Sequence, residues 1–133
     1  MSSGTATRNL LRRAHAAHQE GKLREAESGY RSVLRIRPDD PDALHFLGML
    51  HFQRGERDEA IKLVRRSLTS LGTNPHAWNN LANMLLACDR PQEAADAYEK
   101  ATQYGPQMAE AWCNRAVCLR RVRQYDLAID CFL

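Results

Sequence analysis

Apolar residues recur along this chain at the three- and four-residue spacing of an α-helix. In the segment 41–54, Leu44 and Leu47 lead into a further apolar run, and Ala60 and Val64 continue the spacing in the segment that follows. One apolar face per segment is typical of an amphipathic helix. The pattern predicts helices at about 7–20, 23–37, 41–54, 57–70, 75–88, 91–104, 109–122 and 125–133.

The predicted helices fall into pairs that repeat every 34 residues. A unit of this size cannot bury its apolar face alone and does so by stacking on its neighbours, which gives an elongated solenoid. We therefore predict one all-α repeat domain over 1–133, with repeats at 7–40, 41–74 and 75–108 and a truncated fourth at 109–133. Four columns keep one kind of residue at this interval: Leu10, Leu44, Trp78 and Trp112; Ala14, Gly48, Ala82 and Ala116; Ala26, Ala60, Ala94 and Ala128; Tyr30, Val64, Tyr98 and Phe132.

Glycine and proline mark the ends of the predicted helices. Gly21 and Gly55 follow the first helix of a pair and suit a left-handed cap. Pro41 and Pro75 suit the first turn of a helix, where a missing N–H costs little. The small columns leave room for the two helices of a pair to approach closely.

These columns resemble the tetratricopeptide repeat family, whose pattern runs from Trp through Leu-Gly and Tyr to a small residue, an aromatic and Pro. Arg13 and Arg115 depart from it, and so does Gly72 in place of Pro. The resemblance implies a right-handed superhelical solenoid of antiparallel helix pairs that binds a protein or peptide partner in a concave groove. The third repeat carries the fullest match: Trp78, Leu81, Ala82, Leu85, Ala94, Tyr98, Ala101 and Pro106.

Composition narrows the classes of partner. The net charge is +3, and acidic residues lie among the arginine clusters, so the positive stripe of a nucleic-acid-binding protein is missing. No apolar run is long enough to span a membrane. The segment 1–9 lacks the apolar core of a signal peptide. We expect a cytoplasmic protein that binds neither nucleic acid nor membrane.

The residues that could carry chemistry do not form a catalytic or metal-binding motif. There is no glycine-rich phosphate loop and no nucleophile elbow, so we expect neither an enzyme nor a cofactor in this chain. His15, His18 and His45 could converge, but no carboxylate or thiolate completes a ligand set, which favours packing or partner contact. The cysteines show no zinc-site spacing and are expected to be reduced thiols: Cys88, Cys113, Cys118 and Cys131.

In the family that the chain resembles, the first helix of each pair lines the concave face. Asn80, Asn83 and Asn114 stand out there, because an amide offers a donor and an acceptor to a peptide backbone. Alternatively, these asparagines are solvated or bond a neighbouring turn. The predicted groove consists of His45, Met49, Phe52, His76, Asn79, Asn80, Asn83, Leu86, Glu110, Asn114, Val117 and Arg120.

Two subtypes of the family can be compared with this lining. Asn80 and Asn114 are similar to the asparagine ladder of O-linked N-acetylglucosamine transferases, although Arg12 and Phe46 break it in the first two repeats. That resemblance implies an alternative function as the substrate-recognition segment of a larger glycosyltransferase-like enzyme with its catalytic domain outside this chain. The carboxylate clamp that binds chaperone tails is rejected, because Glu110 would repel a carboxylate.

The last residues of the sequence fall inside the predicted second helix of the fourth repeat. A solenoid normally finishes with a polar-faced capping helix. We therefore expect the chain to be part of a longer protein, or, if it exists alone, to self-associate end to end. The apolar residues concerned are Ala128, Ile129, Phe132 and Leu133.

Overall fold

The structure is a computed structural model that describes the backbone of residues 3–132 and the side chains of residues 4–126. Within these ranges the chain is helical and contains no strand, which confirms the predicted all-α helical-repeat fold. The first helix begins earlier than predicted, and the next five agree with the prediction to within a residue. The helices are α1 (Ser3–Gln19), α2 (Leu23–Ile36), α3 (Pro41–Gln53), α4 (Arg57–Ser70), α5 (Pro75–Ala87), α6 (Pro91–Tyr104) and α7 (Ala109–Phe132).

The helices are distributed over two compact units, Met1–Gly72 and Thr73–Leu133. In the first unit α1 packs on α2 and α3 packs on α4, with α3 also lying against α2. In the second unit α5 packs on α6, and α6 packs on α7. The predicted helix pairs of the first three repeats are therefore present.

Polar caps fix where α3 and α5 begin. The Asp40 carboxylate accepts a hydrogen bond from the Ala43 amide at 2.9 Å, and the Asn74 side-chain oxygen accepts one from the His76 amide at 3.0 Å. Each cap precedes a proline in the first turn, Pro41 or Pro75, as the sequence pattern indicates. These caps satisfy amides that the helix itself leaves without partners.

Close approach explains the small-residue columns. A Cβ placed on Gly29 would lie 2.6 Å from the Cβ of Ala14, and one on Gly48 would lie 2.7 Å from Val64 Cγ2. Real Cβ atoms do not come so near, so both helix pairs depend on a missing side chain at these points. The rings of Tyr30 in the first unit and Tyr98 in the second unit are buried.

A left-handed residue ends the first helix in each of the first three repeats. Gly21 has φ +79°, Gly55 has φ +85°, and Asp89 has φ +60°. Glycine reaches this region freely, and aspartate reaches it more readily than most residues. The corresponding position of the fourth repeat is Arg123, and there α7 continues without a break to Phe132. The predicted break between residues 122 and 125 was therefore wrong, because no residue suited to a left-handed turn stands there.

Candidate ligand-binding face

In the first unit a series of hydrogen bonds through His18 joins α1, α2 and α3. The Tyr30 hydroxyl on α2 donates to His18 Nδ1 at 3.0 Å, and His18 Nε2–H donates to the Gln53 side-chain oxygen at 2.8 Å. Burial raises the pKa of Tyr30 to about 12, so the phenol keeps its proton and remains a donor. Both nitrogens of His18 are therefore occupied within the protein.

An aromatic cluster surrounds Phe46 on α3. The Phe46 ring centroid lies 4.6 Å from His15, 5.4 Å from His45 and 5.9 Å from Tyr30. His15 Nδ1 is buried without a hydrogen-bond partner, and the predicted site residue His45 is itself buried. In the part of the chain that the structure describes, no three His, Cys, Asp or Glu side chains are placed to hold a metal ion. These histidines pack against aromatic rings.

The other predicted residues of the first unit are more accessible. Met49 and Phe52 on α3 are both half-buried. The Arg57 guanidinium lies 5.9 Å from the centroid of the Phe52 ring, at the distance of a cation–π contact. An apolar side chain from a ligand could still reach both residues, whereas it could reach little of His45.

In the second unit the predicted asparagines have different environments. Asn79 is buried, and its side-chain oxygen has no hydrogen-bond partner. The side-chain oxygen of Asn83 accepts a hydrogen bond from the Tyr98 hydroxyl. Burial, together with nearby Cys118 and Glu110, raises the pKa of Tyr98 to about 12, which keeps this donor protonated.

Asn80 on α5 and Asn114 on α7 are half-buried and occupy the same column in consecutive repeats. The accessible amides are therefore Asn80, Asn83 and Asn114. The side chains that accompany them are mixed in character: Leu86 is half-buried, while His76, Glu110, Val117 and Arg120 are exposed.

The sequence did not reveal the role of the two buried tyrosine hydroxyls. In the sequence, Tyr30 and Tyr98 stand out only as members of a column that recurs every 34 residues. Each hydroxyl instead reaches a polar side chain on the preceding helix, His18 or Asn83, and fixes it. The available signal was the recurrence of tyrosine in a buried column, because a buried phenol needs a partner.

Charged side chains in the first unit pair with one another. The Glu27 carboxylate accepts hydrogen bonds from Arg31 at 2.9 Å and from Arg54 at 2.7 Å. The hydrogen bond from Arg54 is the main reason that the pKa of Glu27 lies below its ordinary value. In the second unit Arg90 pairs in the same way with Glu93. Acidic neighbours therefore offset the charges of these three arginines.

Comparison with protein families decides which repeat this is. A family model described as tetratricopeptide repeat matches residues 17–85, and a second model with the same description matches residues 79–133. The chain belongs to the tetratricopeptide repeat family.

Curated relatives share these tetratricopeptide repeats as part of longer chains. The peroxisomal targeting signal receptor of Candida glabrata is 30% identical over 124 residues, which cover 87% of this chain and 21% of the relative. Human tetratricopeptide repeat protein 7A is 29% identical over 94 residues, which cover 71% of this chain and 11% of the relative. The chain thus covers 21% of the length of the first relative and 11% of the second.

Solved structures confirm the repeat fold. A mutant O-GlcNAc transferase from Thermobaculum terrenum superposes with a TM-score of 0.81 and 30% identity, covering 90% of this chain and 23% of that one. The tetratricopeptide repeats of this chain thus resemble those of an O-GlcNAc transferase, as the sequence indicates. The protein MamA, at 22% identity and TM-score 0.79, covers 96% of this chain and 69% of its own and shares the fold. Among the described helices, none is both long and apolar enough to cross a membrane.

Proposed function

We propose that the chain is a protein–protein interaction module that binds an extended peptide or a partner helix through the first helices of its repeats. The family supports this role, and so does the 30% identity to a relative named as a targeting signal receptor. The proposal assigns binding to these residues and no covalent chemistry.

The observation that carries the proposal is the hydrogen bond between Tyr98 and Asn83 in the second unit. Because the carboxamide oxygen is held by a buried, protonated phenol, the side chain is fixed and its N–H donors remain to serve a ligand carbonyl. Asn80 and Asn114 add two more amides, spaced one repeat apart in the chain. Amides at regular spacing bind the repeating backbone of a peptide without selecting its side chains.

Selectivity would come from the side chains beside these amides. Leu86 and Val117 offer apolar contact, and the exposed Glu110 and Arg120 offer charges of opposite sign. In the first unit, Met49 and Phe52 provide a further apolar patch for a ligand side chain. Met suits irregular partners because its side chain is flexible. The buried His45 would support the apolar patch of the first unit from beneath, and the buried Asn79 would support the amides of the second unit.

The test is a peptide selected from a random library on the 133-residue chain and then measured by fluorescence polarisation. We expect Asn80→Ala with Asn114→Ala to weaken binding roughly 30-fold, because two hydrogen bonds contribute about 1 kcal/mol each. The matched control is Gln92→Ala with Gln103→Ala, which removes two exposed amides from α6. Equal losses in the two variants, with helicity unchanged, would refute the assignment of the binding face.

A second candidate function follows from the 30% identity to an O-GlcNAc transferase structure over 90% of this chain. In that case the module presents protein substrates to a transferase domain located elsewhere in a longer protein. The product of the complete reading frame, purified and incubated with UDP-N-acetylglucosamine and protein acceptors, tests this. This function is supported if sugar is transferred and the double variant Asn80→Ala with Asn114→Ala transfers less. If no sugar is transferred, the transferase function is refuted and only the first proposal remains.

Three expectations from the sequence complete the proposal. We place the module in the cytoplasm, which fractionation of cells producing the native protein tests. We propose no nucleic-acid or membrane partner, and filter binding and vesicle co-sedimentation test these two points. We also propose self-association through the C-terminal helix. Its end-to-end residues Ala128, Ile129, Phe132 and Leu133 lie outside the residues whose side chains the structure describes.

A further inference from the structure

Two arginines on α1 lack the acidic partner that other arginines of the first unit have. Arg31 and Arg54 both donate to the Glu27 carboxylate, at 2.9 Å and 2.7 Å. Arg8 and Arg12 are exposed, and among the residues that the structure describes neither forms an ion pair. The residues of α1 include no aspartate and no glutamate. No carboxylate on this helix therefore compensates for the charge of the two side chains.

The helix beside α1 does not provide the missing carboxylate. α1 lies against α3, and Asp42 is the only acidic residue of α3. Burial, together with nearby Asp40, raises the pKa of Asp42, and the cation that opposes this shift is Arg37. Within the described part of the chain, no ion pair joins Asp42 to Arg8 or Arg12. A carboxylate from another molecule can therefore reach both guanidinium groups.

The positions of Arg8 and Arg12 favour a shared anion. Residues four apart are neighbours on a helix surface, with Cβ atoms about 5–6 Å apart, and like charges at this spacing destabilise the helix. An anion between the two guanidinium groups removes that repulsion. The paired N–H donors of arginine also match the two oxygens of a carboxylate.

An aromatic surface continues from the arginine pair along the same side of α1. Helical rotation places Arg8, Arg12 and His15 within a sector of about 60°. The His15 ring lies 4.6 Å from the ring of Phe46 on α3, measured between centroids. Phe46 is half-buried against the core of the first unit, and Met49, one turn further along α3, is half-buried as well. A ligand held by the arginines would therefore have apolar side chains within reach on the adjacent helix.

We propose that Arg8 and Arg12 together bind an aspartate or glutamate carboxylate of the peptide, while an apolar residue next to it in the peptide contacts Phe46 and Met49. This inference rests on the proposed function, because it assigns a class of peptide to the first unit of that module. Charge complementarity identifies an acidic peptide as the occupant. Two arginines are too few for the series of phosphate contacts that a nucleic acid makes, and the adjacent rings suit an apolar side chain.

The first experiment compares an acidic peptide with its neutral counterpart. The fluorescein-labelled probe Gly-Ser-Glu-Phe-Glu-Leu-Ser-Gly, and the same peptide with glutamine for both glutamates, are titrated with the 133-residue chain in a fluorescence polarisation assay. We expect the acidic peptide to bind roughly tenfold more tightly at low salt, and this difference should shrink as the salt concentration rises. An acidic peptide that binds no better than its counterpart, or that does not bind, would overturn the proposal.

Substitutions of arginine locate the site. Arg8→Gln with Arg12→Gln should weaken binding of the acidic peptide roughly tenfold and leave the neutral peptide unaffected. The matched control is Arg13→Gln with Arg24→Gln, which removes the same charge from two exposed positions. Arg13 lies about 100° around α1 from Arg12, so it lies outside the sector of the pair. Equal losses in the two variants would assign the effect to net charge and refute the site.

Arg8→Lys with Arg12→Lys separates hydrogen-bond recognition from charge. Lysine keeps the charge but lacks the paired N–H donors, so we expect binding of the acidic peptide to weaken roughly threefold. Full retention of binding would refute the paired contact. A single-stranded oligonucleotide that binds more tightly than the acidic peptide, and that Arg8→Gln with Arg12→Gln weakens, would assign the pair to phosphate and overturn the proposal.

The amide variant Asn80→Ala with Asn114→Ala distinguishes this inference from the proposed function. Binding that is lost in the amide variant but kept in Arg8→Gln with Arg12→Gln would overturn the arginine site and leave the proposed function intact. Binding that is lost only in the arginine variant would support the arginine site and remove the assignment of the amides. Far-UV circular dichroism checks that each variant keeps its helices.

Discussion

The contact between Gly29 and Ala14 tests how closely the first helix pair is packed. A methyl group added at Gly29 would lie 2.6 Å from the Cβ of Ala14 and 3.3 Å from its Cα. Neither atom belongs to a flexible side chain, so α1 and α2 would have to separate. Overpacking of this kind costs about 1–3 kcal/mol, whereas replacing glycine in a helix gains about 1 kcal/mol in propensity.

The sign of the change therefore decides the argument. We expect Gly29→Ala to lower the free energy of unfolding by up to about 2 kcal/mol, because the steric cost exceeds the propensity gain. The third repeat has Ala82 and Ala97 at the two equivalent positions, so a helix pair can carry a methyl on both sides. If α1 and α2 adopted such a spacing without cost, Gly29→Ala would instead stabilise the protein by about 1 kcal/mol. That result would refute the reasoning.

Exchanging the two residues separates packing from propensity. In Ala14→Gly with Gly29→Ala, the methyl moves to the other side of the same contact, and the helix propensities cancel. We expect the double variant to unfold within about 0.5 kcal/mol of the original chain, although each single variant is destabilised. The strong coupling would show that the two positions share one space.

Urea denaturation followed by far-UV circular dichroism gives these free energies from the midpoint and slope of the transition. Tryptophan fluorescence would not serve, because Trp78 and Trp112 both lie in the second unit. The control is Ser28→Ala, an exposed position beside Gly29, which gains propensity without entering the contact. A destabilised control would show that α2 tolerates no change in this region, and the packing argument would then fail.

Two further predictions concern two separate buried tyrosines and a helix cap. The pKa values of Tyr30 and Tyr98 are raised from 10.0 to about 12, so their stabilising contribution is complete below pH 10.0 and is lost as the pH rises toward 12. Thermal unfolding should show this loss of stability as the pH rises from 10.0 toward 12. The double variant Tyr30→Phe with Tyr98→Phe should lose less stability over this range, whereas Tyr104→Phe, at an exposed position, should lose as much as the original chain. If stability falls equally with pH in the double variant, the buried phenols are not the cause. Asp40→Ala removes the cap of α3 and should cost about 1 kcal/mol in urea denaturation, more than Asp39→Ala at the exposed neighbouring position; equal effects would assign the loss to charge alone.

The repeat register in the sequence predicts most of the fold because buried columns repeat identically. Leu44, Ala60 and Val64 occupy positions that any helix pair of this size must bury, so the spacing alone locates the helices. The break in the fourth repeat was predicted from the columns of its second helix, although Arg123 already occupied the turn position. The apolar pattern indicates which face a helix buries, and the residue at the turn position indicates whether the chain can turn back into a second helix.

The candidate site was less predictable because it depends on side-chain positions. The sequence placed Asn79, Asn80 and Asn83 in one predicted groove, yet Asn79 is buried, Asn80 is half-buried and Asn83 is held by Tyr98. Helical spacing determines the direction in which a side chain leaves the helix axis, but it does not determine how deeply that side chain is buried. The Tyr98 contact depends on how far a side chain reaches from the following helix, and no local pattern in the sequence contains that distance.

The predicted groove residues of α7 include three that share one side of the helix, and this follows from the helix period. Each residue turns the helix by about 100°, so Glu110, Asn114 and Val117 lie within one narrow sector. Trp112, Ala116 and Leu119 lie in a second sector, roughly 180° away. The accessible amide of Asn114 therefore lies on a different side of α7 from the exposed side chains of Trp112 and Leu119.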